Sequence, residues 1–396
     1  MASQLPAQLT VIWAINLPGK QDEMVEKSIS ATKHSAGRRS LLKGGLLAGG
    51  AALGAGLLST GKQAFGERAD RGGPISRGDI ALLRFAAAAE LIETDLWTQY
   101  AELGGLTPGQ QPVEVDTSFV PMNSYQAAFM NLDSDGPQYI SSNTLDEASH
   151  ASFLNAYLES KGAEPVDLDE FRTLQGSKAT GAQNIGRLTN LMHLNVDTSW
   201  FIRYRSTTNP DFGATFPQAV TITDRTAIPR TDADFDGVNH IQVIANTAAF
   251  HFGTIEQGGS SLYAALSRKA SSEEVLEILV GIGGDEVAHF LEWVDFAGNG
   301  VQPPVAPVSD SGLTFPNSFT KGSLFQPNLI FPVPAEFISS NLPHCAVIRP
   351  LTNQFAGPKA VVKFLTDMNL FAGQPKGFLR VLQQLADEAN EAEREL

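Results

Sequence analysis

The chain reads as all-α: a four-helix bundle with a long crossover between its second and third helices, and a C-terminal extension of irregular chain plus short helices. Three observations predict this. Four long segments without proline carry apolar residues at helical spacing. The second and fourth of them each contain Asp-Glu-x-x-His. The links after the first and third are shorter than the passage joining the second to the third, as expected when two helix pairs are connected by one crossover.

Residues 1–66 precede these segments and read as a leader. Gly37-Arg38-Arg39-Ser40-Leu41-Leu42-Lys43 is followed by an apolar, Gly/Ala-rich stretch from Gly44 to Leu58, and the small-x-small run Ala64-Phe65-Gly66 offers a cleavage point. The stretch is shorter and less hydrophobic than the roughly 20 apolar residues of a membrane-spanning helix, so no stable span is expected after cleavage. Arg38-Arg39 with Leu41-Leu42-Lys43 resembles the twin-arginine export signal, departing from it in having Leu41 where Phe is commoner. That resemblance implies the twin-arginine machinery as a partner, a periplasmic or extracytoplasmic location, and cargo that crosses already folded. Residues before Met24 carry no signal feature, which leaves Met24 as an alternative start. The competing reading is a basic turn before a buried Ala/Gly helix.

The bundle is placed at 75–299. Helix A spans Ile80–Leu103, Ala/Leu/Glu-rich, with Leu83, Ala87, Glu90 and Trp97 on one stripe and Gly104-Gly105 to stop it. The stretch from Leu106 to Ile140 reads as loop with a helical turn at Tyr125–Met130. Helix B starts at the N-cap residues Ser141-Ser142-Asn143 and ends at Gly162. The crossover, Ala163–Gly237, contains a predicted helix over Ala182–Tyr204. Helix C covers Asn239–Arg268; helix D begins at Ser271-Ser272-Glu273-Glu274, with carboxylates at the positive end of the helix dipole, and ends by Gly298-Asn299-Gly300. Residues 300–396 form a Pro-rich extension in which helical patterns return at Lys359–Leu370 and Gly377–Leu396.

Composition narrows the chemistry. A 42% hydrophobic content supports a real core, and a net charge of -15 with pI near 4.9 argues against nucleic-acid binding, which needs a basic surface. The single cysteine, Cys345, excludes an intrachain disulfide and any multi-thiolate metal site. A bound metal must therefore take oxygen and nitrogen ligands.

Asp146-Glu147-Ala148-Ser149-His150 in helix B and Asp285-Glu286-Val287-Ala288-His289 in helix D supply such ligands. Residues three apart share a helix face, so each motif presents one carboxylate and one imidazole to a neighbouring helix. A lone Glu-x-x-His is usually a surface pair; two copies on the second and fourth helices are a stronger signal. The arrangement resembles the ferritin-like superfamily of di-metal carboxylate four-helix bundles, which adds single carboxylates from helices A and C. At the motif level the chain is similar to the desiccation-related type within it, through Phe85–Trp97, Asp146–Leu158 with Gly162-Ala163-Glu164-Pro165, Glu256–Ala264 and Asp285–Phe290.

The resemblance implies two iron or manganese ions held by Glu90, Glu147, His150, Glu256, Glu286 and His289. It casts Glu147 and Glu286 as bridges, Glu90 and Glu256 as terminal carboxylates, and Asp146 and Asp285 as acceptors from the imidazole N–H groups. Glu93 competes with Glu90, which is preferred because it lies on the Leu83, Ala87, Trp97 stripe. Tyr263, two turns beyond Glu256, can hydrogen-bond inside the bundle. His193, His240, His251 and His344 are read as surface or satisfied structural residues, and Trp200, Phe201 and Tyr204 as packing. Gly281, Gly283 and Gly284 weaken helix D unless they serve close approach or a distortion. The implied activity is oxidoreduction with dioxygen or peroxide, ferroxidase-like or catalase-like. The alternatives are a stress-associated structural or binding protein without turnover, and an envelope protein tethered by an uncleaved signal.

Overall fold

A computed structural model describes residues 75–106, 121–204, 206, 216–302, 305–318, 331–332, 334–348 and 357–395. The export signal read within 1–66 lies outside these residues. The described chain is mostly helical, with eight α-helices and three two-stranded antiparallel pairs. None of these helices is long and apolar enough to cross a membrane.

Four long helices position the site. The first, α1 (Arg77–Gly104), starts at Ser76, whose Oγ accepts the backbone N–H of Asp79 at 3.0 Å. The carboxylate of Asp79 accepts the N–H groups of Ser271 and Ser272 at 2.9 and 3.0 Å, fastening the start of α1 to the turn before the fourth long helix. Leu83, Ala87, Glu90 and Trp97 are all buried, as their stripe predicts. A short helix, α2 (Ser124–Met130), matches the predicted turn.

The second long helix, α3 (Gly136–Ser160), begins before the predicted caps. Pro137 sits in its first turn, where a missing N–H costs nothing, so the Gly-Pro pair starts the helix instead of breaking the chain. Its end is as predicted: Gly162 takes φ 74°, while Gly162 N–H bonds to Glu159 O and Ala163 N–H to Leu158 O, both at 2.9 Å.

The connection from 161 to 237 corrects the sequence reading. Of the helix predicted over Ala182–Tyr204, only α4 (Trp200–Arg203) forms. Residues 186–187 and 194–196 lie instead in short strands, β2 (Gly186–Arg187) paired with β1 (Leu174–Gln175), and β3 (Leu194–Val196) paired with β4 (Ile222–Arg225). The physical reason is an outside acceptor. Asp95 of α1 takes the N–H groups of Leu188 and Thr189 and the Thr189 hydroxyl at 2.7 to 3.0 Å, claiming donors a helix would use internally.

The third and fourth long helices are α5 (Val238–Ser267) and α6 (Glu273–Asn299), the latter capped by Ser272. The long faces of α1 and α3 pack together, as do those of α5 and α6. Trp97 of α1 stacks on Trp293 of α6 with ring centroids 5.3 Å apart, and Phe252 of α5 lies 4.7 Å from each. The C-terminal part holds a hairpin the sequence reading missed, β5 (Val308–Asp310) with β6 (Leu313–Phe315), turned by Ser311 and Gly312 at positive φ. Helices α7 (Pro358–Asp367) and α8 (Lys376–Glu391) follow, and α8 packs on α1.

Candidate metal centre

Each of the four long helices sends acidic or imidazole side chains to one place. Glu90 comes from α1, Glu147 and His150 from α3, Glu256 from α5, Glu286 and His289 from α6. All six are buried; Glu147, Glu256 and Glu286 are fully so. They form two overlapping groups, Glu90–Glu147–His150–Glu286 and Glu147–Glu256–Glu286–His289, in each of which the ligand atoms lie within 4.8 Å of one another. Buried clusters of this composition could hold a metal ion, and Glu147 and Glu286 belong to both.

The imidazoles turn Nδ1 inward. His150 Nδ1 lies 3.4 Å from carboxylate oxygens of Glu90 and Glu147, and His289 Nδ1 lies 3.1 Å from Glu147 and 3.4 Å from Glu256. Their outer nitrogens meet the motif aspartates crosswise. His150 Nε2 is 3.2 Å from Asp285 and His289 Nε2 is 3.4 Å from Asp146, so each motif's aspartate orients the other motif's histidine. A lesser group of Asp146, Asp285 and His289 lies on this outer side.

Further residues shape the cluster. Tyr263 donates its hydroxyl to Glu90, fulfilling the sequence expectation. Asn143 was read as a cap; it is instead buried two turns into α3, donating to Glu147 at 2.7 Å and Glu256 at 3.2 Å while accepting Trp293 Nε1–H at 2.8 Å. Its sequence signal is the i, i+4 spacing to Glu147. Gly259 was also missed. A Cβ on it would fall 1.9 Å from Glu286 Oε2, so only glycine leaves that carboxylate its position. Gly283 lets α6 approach Tyr263 of α5, whereas Gly281 and Gly284 face open space.

The electrostatics test whether this donor set fits a cation. Both carboxylate oxygens of Glu286 and Oε2 of Glu256 are buried with no hydrogen-bond partner, an expensive state for polar atoms. Burial and then the neighbouring Glu256 and Glu90 push Glu147 up to about 8, and burial followed by the charges of Glu147, Glu93, Glu256 and Glu90 holds Glu286 well above the usual carboxylate range. Burial alone would lower His150, but hydrogen bonds with Asp285, Glu147 and Glu90 outweigh it and raise the group to about 12; His289 is driven up in the same way, by Glu256, Asp146 and Glu147. Protons thus balance the acidic cluster where cations would. An oxygen and nitrogen donor set with unpartnered carboxylate oxygens fits a hard or borderline divalent cation.

Glu93 stands outside both groups, its Oε2 buried without a partner and its carboxyl raised by burial and by Glu147, Glu90 and Glu256. The other histidines lie outside both groups, and buried His251 leaves Nε2 without a partner where a satisfied side chain was expected. His193 is exposed beside Asp224, His240 bridges Asp234 and Asp310, His344 is exposed, and His251 is buried with Nδ1 2.7 Å from the Tyr100 hydroxyl. Trp200, Phe201 and Tyr204 are core. Compared with family models, curated proteins and solved structures, the chain matches none.

Proposed function

We propose that the chain is an exported ferritin-like four-helix-bundle protein of the desiccation-related type that holds two iron or manganese ions and acts on dioxygen or peroxide, either oxidising iron(II) with it as a ferroxidase does or disproportionating peroxide as a catalase does. The observation that carries this is the overlap of two buried Glu/His groups through Glu147 and Glu286, which fits a pair of cations sharing two carboxylates. Glu90 and His150 would complete one position, and Glu256 and His289 the other. Four carboxylates in an apolar interior are costly unless neutralised, and two divalent cations bring four positive charges. When bound, iron or manganese supplies one-electron redox chemistry and Lewis acidity.

The chain's own residues do the rest. The crosswise aspartates fix the ring orientation of both histidines, Asn143 and Tyr263 hold carboxylate oxygens in place, and the Trp97–Trp293–Phe252 cluster excludes water from one side. The acidic cluster lies on helices that fold before export by a twin-arginine route, so metal selection would occur in the cytoplasm, where open nitrogen and oxygen sites need protection from copper and zinc.

Elemental analysis of natively expressed, exported protein should give two iron or manganese ions per chain, and fewer than one would refute the reading. Oxygen or peroxide consumption by the metal-loaded protein should be lost in Glu286→Ala. Equal rates in both would favour a structural protein without turnover. Replacing Arg38 and Arg39 by lysine should leave precursor in the cytoplasm.

A further inference from the structure

Beside Glu286 lies a small cavity of about 40 Å³, walled by Glu93 of α1, Arg203 of α4, Gly258 and Gly259 of α5, and Phe364 and Leu365 of α7. Two features tie it to the carboxylate cluster, and a third marks its open space. Gly259 lines the cavity and also lies against Glu286, where a Cβ would fall 1.9 Å from the carboxylate oxygen. Glu93 lines the cavity and adjoins the cluster, whose Glu147, Glu90 and Glu256 help raise its carboxyl. Gly258 lines the same space, and a Cβ built there meets nothing within 4 Å.

The volume sets the size of an occupant. A water-sized site needs about 10–15 Å³, so the cavity holds about three such molecules and nothing the size of a branched organic molecule. Its chemistry sets the kind. Ile92, Leu96 and Leu262 make much of the lining apolar, while Glu93, Asp197, Arg203, Thr254 and Gln257 add polar groups, which suits a small molecule able to hydrogen-bond. Part of the wall comes from outside the four long helices: Phe364 and Leu365 of α7 line the cavity together with Trp200 and Arg203 of α4.

We infer that this cavity is the binding pocket for hydrogen peroxide beside the carboxylate cluster, and that α7 sets its size limit. The inference rests on the cluster being a redox metal centre. It gives the extension a role in selecting substrate.

Two measurements on the full chain test it. Crystals of metal-free protein pressurised with xenon should show xenon between Gly258 and Phe364, and Gly258→Phe, which fills the open space, should abolish it. With metal loaded, the wild type should consume hydrogen peroxide at least about tenfold faster than tert-butyl hydroperoxide. Gly258→Phe should lower the hydrogen peroxide rate by at least about tenfold at unchanged metal content, and Phe364→Ala should raise the tert-butyl hydroperoxide rate several-fold. Xenon absent from the wild-type cavity, or metal-loaded variants whose peroxide rates match wild type, would overturn the pocket alone. A wild-type chain that holds no metal would overturn the metal-centre reading, and the peroxide assignment with it.

Discussion

Replacing Gly259 by alanine puts a methyl carbon 1.9 Å from Glu286 Oε2 and 2.9 Å from its Cδ. To bring that oxygen from 1.9 Å out to an ordinary contact of 3.4 Å, the carboxylate must retreat by about 1.5 Å. Side-chain rearrangement of this kind costs about 0.5–1.5 kcal/mol when it forces an off-rotamer torsion, while removing a helix-interior glycine returns about 1 kcal/mol. The fold should therefore keep its stability to within about 1 kcal/mol. The metal site should not, because ligand distances tolerate only about 0.2 Å. Loss of a shared carboxylate should weaken metal binding at least about 100-fold, or roughly 2.8 kcal/mol. Gly258→Ala is the matched control, since its methyl group meets nothing within 4 Å and should stabilise α5 with metal binding intact. Thermal unfolding of the metal-free proteins and competition against a chelator of known affinity separate the two effects. A Gly259→Ala protein that binds metal as wild type does would refute the assignment of Glu286.

Asn143→Ala should destabilise the metal-free chain by about 1–3 kcal/mol in urea unfolding, because Trp293 Nε1–H loses its acceptor and two buried carboxylates lose a donor; a change below about 0.5 kcal/mol would show these bonds to be dispensable. His251 is held neutral, pushed down to about 3 by burial, so below its ordinary value of about 6.5 the unfolded chain binds a proton that the fold does not. The stability this group contributes is complete above about 6.5 and is lost as pH falls toward 3, by up to about 1.4 kcal/mol per pH unit; unfolding at pH 4 and 7 should show a shallower acid loss in His251→Gln. Adding manganese(II) or iron(II) anaerobically at pH 7 should release protons, since Glu147, His150 and His289 all titrate above that pH without metal, and an indicator dye that records no release would contradict those assignments.

What was legible in the sequence was whatever depended on local periodicity. The Asp-Glu-x-x-His repeats, the helix A stripe and the Ser272 and Gly162 boundaries are statements about neighbours within a turn or two, and each holds in the structure. Glu90 was preferred to Glu93 by its stripe, but residues three apart share a helix face and spacing left the choice open; Glu90 lies in a buried Glu/His group and Glu93 lines the neighbouring cavity. What was missed was non-local. The crossover residues have helical composition, yet Asp95, some 90 positions earlier, takes their backbone donors. Asn143 looks like a cap until Trp293 and Glu256 arrive from other helices. Gly259 looks like a weakness in α5 until Glu286 is placed against it.

The same non-local contacts explain how the chain can carry its acidic cluster at all. Each buried carboxylate of the cluster has a neutral or cationic companion from another helix: Tyr263 for Glu90, His289 for Glu147, His289 and Asn143 for Glu256, and His150 near Glu286. The two histidines are in turn backed by aspartates nearer the surface, which raise their affinity for protons without adding charge to the interior. This lets the metal-free fold exist as a protonated core. Glu286 is the member least served, with both oxygens unpartnered and its nearest imidazole nitrogen 3.8 Å away. It is also shared by both groups and lies against Gly259. The least satisfied group in the cluster is thus the one placed to gain most from a cation on either side.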